Sequence, residues 1–399
     1  MRPGVHFGQL HLIISVVVVL AQFYLFLRIG QVIRASRRSR LCKSLLIGAV
    51  GLSIASLFAM NAVILSRPTL WVDPPEVADV ILFYFPAVWT FGSIFSALLL
   101  GLVQLLRGLG RVVVRCGRGL DSQKSALPVN LQRRRFLQAG VTGLAAAPLL
   151  LSGYGAAYGG KAYEVRKLTL PFGRALRVVQ LTDIHAGVYM TRAEIRRYAE
   201  QVAALEPDLF VLTGDYISNS MAFLPDCVEE MARVRARYGT FATMGNHDRW
   251  FGRQSDILAM FRQHRITFLL NAHRVIQTEQ GSLAVAGIDD LQSGHPDLAG
   301  ALQGLDSTLP TILLSHRPEI FPLAASHGVP LTLSGHYHGG QIKFGLPGLN
   351  LSPAHLLTPY PEGLYRIKDS HLYVSRGIGT TFIPIRLNAR PEVTLLRLT

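Results

Sequence analysis

The chain has 399 residues, a formal net charge of +15 and a mean hydropathy of +0.30. That length exceeds one typical domain, and the hydropathy is high for a wholly soluble protein. The three cysteines, Cys42, Cys116 and Cys227, stand in no metal-type spacing, which excludes a disulfide framework and a cysteine-based metal site.

Four windows lack any charged residue: Leu10–Leu27, Ser44–Ser66, Val80–Leu106 and Phe136–Gly160. The first three are rich in Leu, Val, Ile and Phe and long enough to cross a hydrocarbon core of about 30 Å. They are expected to be transmembrane helices. The position of the charge supports this. Residues 1–160 hold 16 Lys+Arg against 4 Asp+Glu, whereas residues 161–399 hold 24 against 21. The excess lies in two connections, Arg28 to Lys43 and Arg107 to Arg135, while the one between them, RPTLWVDPPEVAD, carries one Arg and three acids. This alternation is the positive-inside pattern, with both basic loops in the cytoplasm. It makes the lipid bilayer the expected partner and gives no reason to expect nucleic acid.

The fourth window is rich in Gly and Ala, with Pro148 near its middle. It reads as a weak fourth span or as a targeting segment. Arg133-Arg134-Arg135-Phe136-Leu137 resembles the twin-arginine export motif, although Gln132 and Gln138 stand where Ser/Thr and Lys are commoner. On either reading, the remainder emerges opposite the basic loops. The expected organisation is a membrane domain of three helices over 1–132, the segment 133–160, and a soluble domain over 161–399.

In the soluble half, LRVVQL (176–181) reads as a buried strand ending at TDIHAG. Thr191 and Glu194 form a capping box opening a helix to about Leu205. Leu209–Leu212 is the next strand, and a helix near Pro225–Arg237 leads to a strand over Thr240–Met244. Further strands are expected at Leu283–Ala286, Thr311–Leu314 and Leu331–Leu333. The runs GLYRI, HLYVS and VTLLRL near the end look antiparallel. Strands alternating with helices, then a strand-rich tail, argue an α/β fold with a mixed sheet or two packed sheets.

Polar residues follow the strands at five places: Asp183 and His185; Asp215; Asn246, His247 and Asp248; His316; and His336 with His338. Loops at the carboxyl ends of strands are where α/β sheets bind ligands. In GHYH the two histidines are i and i+2, which in an extended segment point the same way. Any one of these has an ordinary explanation as a turn residue or a core histidine. Five at equivalent positions point to a shared metal site.

The ordered set Asp183-x-His185, Gly214-Asp215, Gly245-Asn246-His247-Asp248, His316 and Gly335-His336-x-His338 resembles the calcineurin-like metallophosphoesterases over about 176–340. The tail SRGIGTTFIPIRLNARPEVTLL looks like that of the membrane-associated bacterial branch, which includes phosphodiesterases and a UDP-diacylglucosamine pyrophosphatase. The resemblance implies a pair of packed mixed β-sheets flanked by α-helices, here preceded by an α-helical membrane region. Together with the charge pattern of the loops, it leads to the expectation of a multi-pass protein of the bacterial inner membrane whose catalytic domain lies outside the cytoplasm.

Mixed carboxylate, imidazole and amide ligands suit Mn, Fe or Zn. By resemblance, Asp183, His185 and His338 hold one divalent ion, Asn246, His316 and His336 the second, and Asp215 bridges them. Such a pair clamps attacking and leaving oxygens at phosphorus and lowers the pKa of a water. His247 is implied as an acid or charge stabiliser facing the leaving group, with Asp248 holding its other nitrogen. Arg249 and Arg317 are candidate phosphate contacts, with an ordinary surface role the expectation for each. The expected substrate is a phosphodiester or a lipid-linked or envelope phosphoester. The alternatives are a UDP-2,3-diacylglucosamine-type pyrophosphatase, a non-catalytic membrane binding module, and a transporter. The last is disfavoured because no charge lies inside the first three windows.

Overall fold

The computed structural model describes residues 3–66, 84–118, 131–160, 162–346, 349–381 and 383–399. Its contacts divide the chain into two units, one holding the long N-terminal helices through Tyr154 and the other holding Gly155–Thr399.

Helices α1 (Pro3–Ala35), α2 (Arg40–Ser66), α3 (Phe85–Arg118) and α4 (Leu131–Tyr154) make the first unit. Four stretches of 21 to 30 residues, the last being Ala139–Gly159, are long and apolar enough to cross a membrane. Leu20, Leu52, Leu98 and Leu150 stand exposed on these helices, where hydrocarbon rather than water would cover them. Hydroxyls within these stretches find backbone partners, as a bilayer would demand: Ser96 donates to the Ala145 carbonyl at 2.7 Å and Ser152 to that of Pro148 at 2.6 Å. The acidic connection 67–79 and Lys124 lie outside the described residues, as do the side chains of Arg133, Arg134 and Arg135.

Two six-stranded sheets form the frame of the second unit. In chain order its first strands are β1 (Glu164–Leu170), β2 (Leu176–Leu181), β3 (Leu209–Leu212), β4 (Thr240–Ala242) and β5 (Thr267–Phe268). Then come β6 (Ala272–Thr278), β7 (Gly281–Gly287), β8 (Thr311–Leu314), β9 (Leu331–Ser334), β10 (Phe344–Leu346) and β11 (Leu349–Leu351). The last are β12 (Gly363–Ile367), β13 (Ser370–Val374) and β14 (Glu392–Leu398). One sheet runs β1-β14-β2-β3-β4-β5 and the other β12-β13-β9-β8-β7-β6, with β10 and β11 a separate hairpin.

Strand alternation explains the layers. Successive side chains face opposite sides, so Val178, Leu209, Val211 and Phe241 point toward the second sheet and meet Leu283, Val285, Ile312, Leu314, Leu331 and Leu333. Their neighbours Val179, Leu181, Phe210 and Leu212 pack on the other face, beneath α5 (Arg192–Ala204), α6 (Leu224–Met231), α7 (Asn246–Phe251) and α8 (Gln254–Gln263). Each such fully buried aliphatic side chain contributes about 1.5–3 kcal/mol. The sheets therefore hold five strand ends in fixed relation, which is what a multi-residue site requires.

Two expectations need correcting. VTLLRL does not continue the antiparallel run with GLYRI and HLYVS. Those two pair with each other as β12 and β13, while β14 crosses to the first sheet, parallel to β1 and antiparallel to β2. The helix expected near 225–237 stops at Met231, and residues 232–239 form turns into β4.

Candidate metal centre

The loops after β2, β3, β4, β8 and β9 converge, and they converge in strained backbone. Asp183, His185, Asp215, His336 and His338 all adopt positive φ, between 50° and 77°. Non-glycine residues avoid this region, and clusters of them accompany functional sites. The left-handed turns also overturn one expectation. GHYH is not extended, so its histidines diverge: His336 joins one cluster and His338 another. Gly335 is required here because a Cβ on it would come within 2.2 Å of Asp183 Oδ2. At Gly245 a Cβ would meet Asp215 Oδ1 at 2.2 Å.

Asp183, His185 and His338 form one group of ligand atoms lying within 4.8 Å of one another, and Asp215, His316 and His336 form a second. His185 Nε2 and His338 Nε2 are 3.1 Å apart, and His336 Nδ1 and His316 Nε2 are 3.2 Å apart. Asp215 Oδ2 reaches both groups, at 3.5 Å from His185 Nε2 and 3.2 Å from His316 Nε2. A further group of His185, Asp215 and His247 meets the same distance condition, so His247 borders the centre from the third side.

The surroundings fix these side chains. Asp183 accepts the His336 N–H at 3.0 Å and the Thr182 hydroxyl at 2.8 Å. His316 Nδ1 lies on the Thr213 carbonyl at 2.8 Å, which leaves Nε2 to face Asp215, the usual way an outer partner orients a ligating imidazole. Asp248 does not hold His247, contrary to the sequence expectation. Its carboxylate accepts the backbone N–H groups of Asp215, Tyr216 and Gly245 at 2.8–2.9 Å, while His247 Nδ1 meets the Ser218 carbonyl at 2.6 Å. Asp248 is thus the buttress that fixes the turn carrying Asp215. Arg317 and Arg249 are not surface arginines either. Arg317 is buried, pairs with Asp290 at 3.0 Å and reaches His336 Nε2 at 2.6 Å; Arg249 pairs with buried Asp289.

Divalent ions fit this donor set. Asn246 Oδ1 and His185 Nδ1 are buried and have no hydrogen-bond partner among the described residues, a costly state for an amide oxygen unless a ligand takes it up. Burial holds His185 down at about 3 and keeps His336 and His338 well below the usual imidazole range, so all three are neutral, the form that binds metal. Burial raises Asp183 to about 6, and burial together with the Asp215 charge raises Asp248 to about 7. Cations would relieve that crowding of carboxylates. Burial opposes charge on His316 as well, but the Asp215 carboxylate outweighs it and raises His316 to about 10.

Six of the nine residues singled out in the sequence fall in the two groups, and His247 joins His185 and Asp215 in the further one, with Asn246 just before it as the first residue of α7. The sequence reading passed over Thr381 and Arg386, both of which contact the first group from the tail. Neither follows a strand, so position relative to strands could not find them.

Trp250 is exposed, with its ring centroid 5.0 Å from that of His247, and half-buried Phe251 follows at 5.7 Å. An aromatic rim beside the centre is therefore present.

Residues 176–340 match the calcineurin-like phosphoesterase family. The uncharacterized metallophosphoesterase YkuE of Bacillus subtilis is 31% identical over 286 residues, covering 67% of this chain and 98% of that protein. Phosphodiesterase YaeI of Escherichia coli is 30% identical over 277 residues, covering 67% of this chain and 99% of YaeI. A bovine transmembrane protein with a metallophosphoesterase domain is 34% identical over 242 residues, 57% of this chain and 53% of that protein.

Proposed function

Because the chain belongs to the calcineurin-like metallophosphoesterases, and so is a metal-dependent phosphoester hydrolase, we propose that it acts at a membrane surface as a two-ion enzyme on a phosphodiester or a lipid-linked envelope phosphoester. The observation that carries the two-ion part is a single oxygen. Asp215 Oδ2 stands 3.5 Å and 3.2 Å from imidazoles of two separate ligand groups, where a bridging carboxylate belongs.

Asp183, His185 and His338 would hold the first ion, Asn246, His316 and His336 the second, with Asp215 shared. Bound ions would supply Lewis-acid charge at the phosphoryl group and a more acidic water. The protein's own groups do the rest. Asp248 locks the Asp215 turn through three backbone N–H groups. The Ser218 carbonyl orients His247, leaving Nε2 to exchange a proton at the leaving oxygen. Arg317, neutralised by Asp290, backs His336.

The membrane part rests on the four apolar helices and on the charge pattern of their connections. That pattern supports a multi-pass protein of the bacterial inner membrane with the catalytic domain outside the cytoplasm. It counts against a cytoplasmic nucleotide-lipid such as UDP-diacylglucosamine. A lipid substrate draws support from the segment after GHYHGGQ, where Phe344, Leu351, Leu356 and Leu357 are 61%, 49%, 89% and 74% exposed. An exposed apolar group of this kind near a metal centre suits a lipid contact. The side chains of Leu346 and Leu349 lie outside the described residues.

The test compares the full-length protein in detergent on a short soluble diester and on a long-chain lipid phosphoester in micelles. Leu351→Ser with Leu356→Ser should slow only the lipid. Equal slowing of both would assign the segment a structural role.

A further inference from the structure

The C-terminal tail lies beyond the segment that matches the family, yet it reaches into the first ligand group. Thr381 Oγ1 is 3.0 Å from His185 Nε2 and 3.2 Å from His338 Nε2, and those nitrogens are themselves 3.1 Å apart. Three donor atoms mark a nearly equilateral triangle. Around an octahedral first-row ion with bonds of about 2.1 Å, neighbouring ligands stand about 3.0 Å apart and opposite ligands about 4.2 Å apart. The triangle has the dimensions of one octahedral face. Asp183 Oδ1 completes the comparison, at 3.4 Å from His338 Nε2 and 4.0 Å from His185 Nε2, close to one neighbouring and one opposite position.

We propose that the Thr381 hydroxyl is a further ligand of the first ion, a neutral oxygen supplied by the tail, in addition to Asp183, His185, His338 and Asp215. The proposal rests on the two-ion reading above and extends it to a residue outside the five strand-end motifs.

Two devices hold the hydroxyl in place. Thr381 and Gln341 exchange hydrogen bonds: the Thr381 N–H donates to Gln341 Oε1 at 2.6 Å, and Gln341 Nε2 donates to the Thr381 carbonyl at 3.2 Å. Gln341 follows His338 by three residues, so this pair joins the histidine loop to the tail. The second device is Arg386, fully buried, whose guanidinium donates to the carbonyls of Arg376 at 2.9 Å, Gly377 at 3.2 Å, Gly379 at 3.1 Å and Ala389 at 3.0 Å. Its Nη2 also lies 3.1 Å from His338 Nδ1. No carboxylate pairs with it among the described residues, so its charge is spread over the carbonyls of the loop that carries Thr381. With its own N–H and carbonyl engaged by Gln341, Thr381 presents its hydroxyl to the two imidazoles.

The experiment uses the full-length chain in detergent, stripped of metal and titrated with Mn²⁺ alone, with free Mn²⁺ counted by electron paramagnetic resonance. His316→Ala removes the second site and serves as the background in which the first is read. There, Thr381→Val should weaken Mn²⁺ binding by about 10–100-fold, and Thr381→Ser should restore it. Thermal melts of the metal-free variants establish folding, and Thr381→Ala replaces the valine variant if that one fails to fold. Unchanged Mn²⁺ affinity in Thr381→Val, or no recovery in Thr381→Ser, overturns the proposal. A protein with intact Thr381 and His316 that takes up fewer than two ions overturns the two-ion reading instead.

Discussion

Left-handed backbone at Asp183, His185, Asp215, His336 and His338 costs on the order of 1–3 kcal/mol per residue, and only a frame that overdetermines the turns can hold it. Residue types and their places after strands were legible in the sequence, because each follows an apolar run. What Asp248 does was not, since acceptance of three backbone N–H groups leaves no mark in a sequence. The same holds for Thr381, whose contacts depend on how the tail folds back. His247 is the residue whose role separates chemistry from binding. It lies beside both ligand groups, with its Nδ1 on a carbonyl, so His247→Ala should retain both ions and lose about 10²–10⁴-fold in turnover. Loss of metal from that variant, by elemental analysis, would make it a ligand and contradict the assignment.

Among elements, the strands that end at the site were the most legible, because four-residue apolar runs bounded by Gly, Asp and His admit few other readings. The edges were not. β1 (EVRKLTL) carries exposed charges and gives no apolar run, and β14 shows nothing in its composition that says which sheet it joins. The Thr191–Glu194 capping box is present, and α5 beyond it docks on α6 through a charge cluster. Glu230 accepts from Arg192 at 2.8 Å and from Arg196 at 2.9 Å while its side chain is fully buried. Arg196 first, then Arg192, hold its carboxyl below the ordinary 4.5, although burial opposes them. A depressed folded-state value means the stabilisation is present above 4.5 and is lost as pH falls through that lower value. Glu230→Gln should therefore be less stable than wild type near neutrality, and the gap should close in acid. Denaturant midpoints measured from about pH 6 to about pH 3 check this, and a gap independent of pH would contradict it.

At the scale of the whole molecule, the sequence separates a basic, apolar first part from a nearly charge-balanced second. Which side of the membrane the second unit occupies is a matter of charge pattern alone. A reporter active only in the cytoplasm, fused after Thr399, should give no signal; strong signal would reverse the orientation and reopen the nucleotide-lipid reading. The central claim is that two ions share Asp215 and that phosphoester hydrolysis depends on both. Its most direct test is the metal content of the full-length protein in detergent, wild type against Asp215→Asn, with turnover of a soluble diester measured on the same samples. The account predicts two ions per chain in the wild type, and almost no metal and almost no turnover in Asp215→Asn. An Asp215→Asn protein that keeps both ions and hydrolyses the diester at the wild-type rate would contradict it.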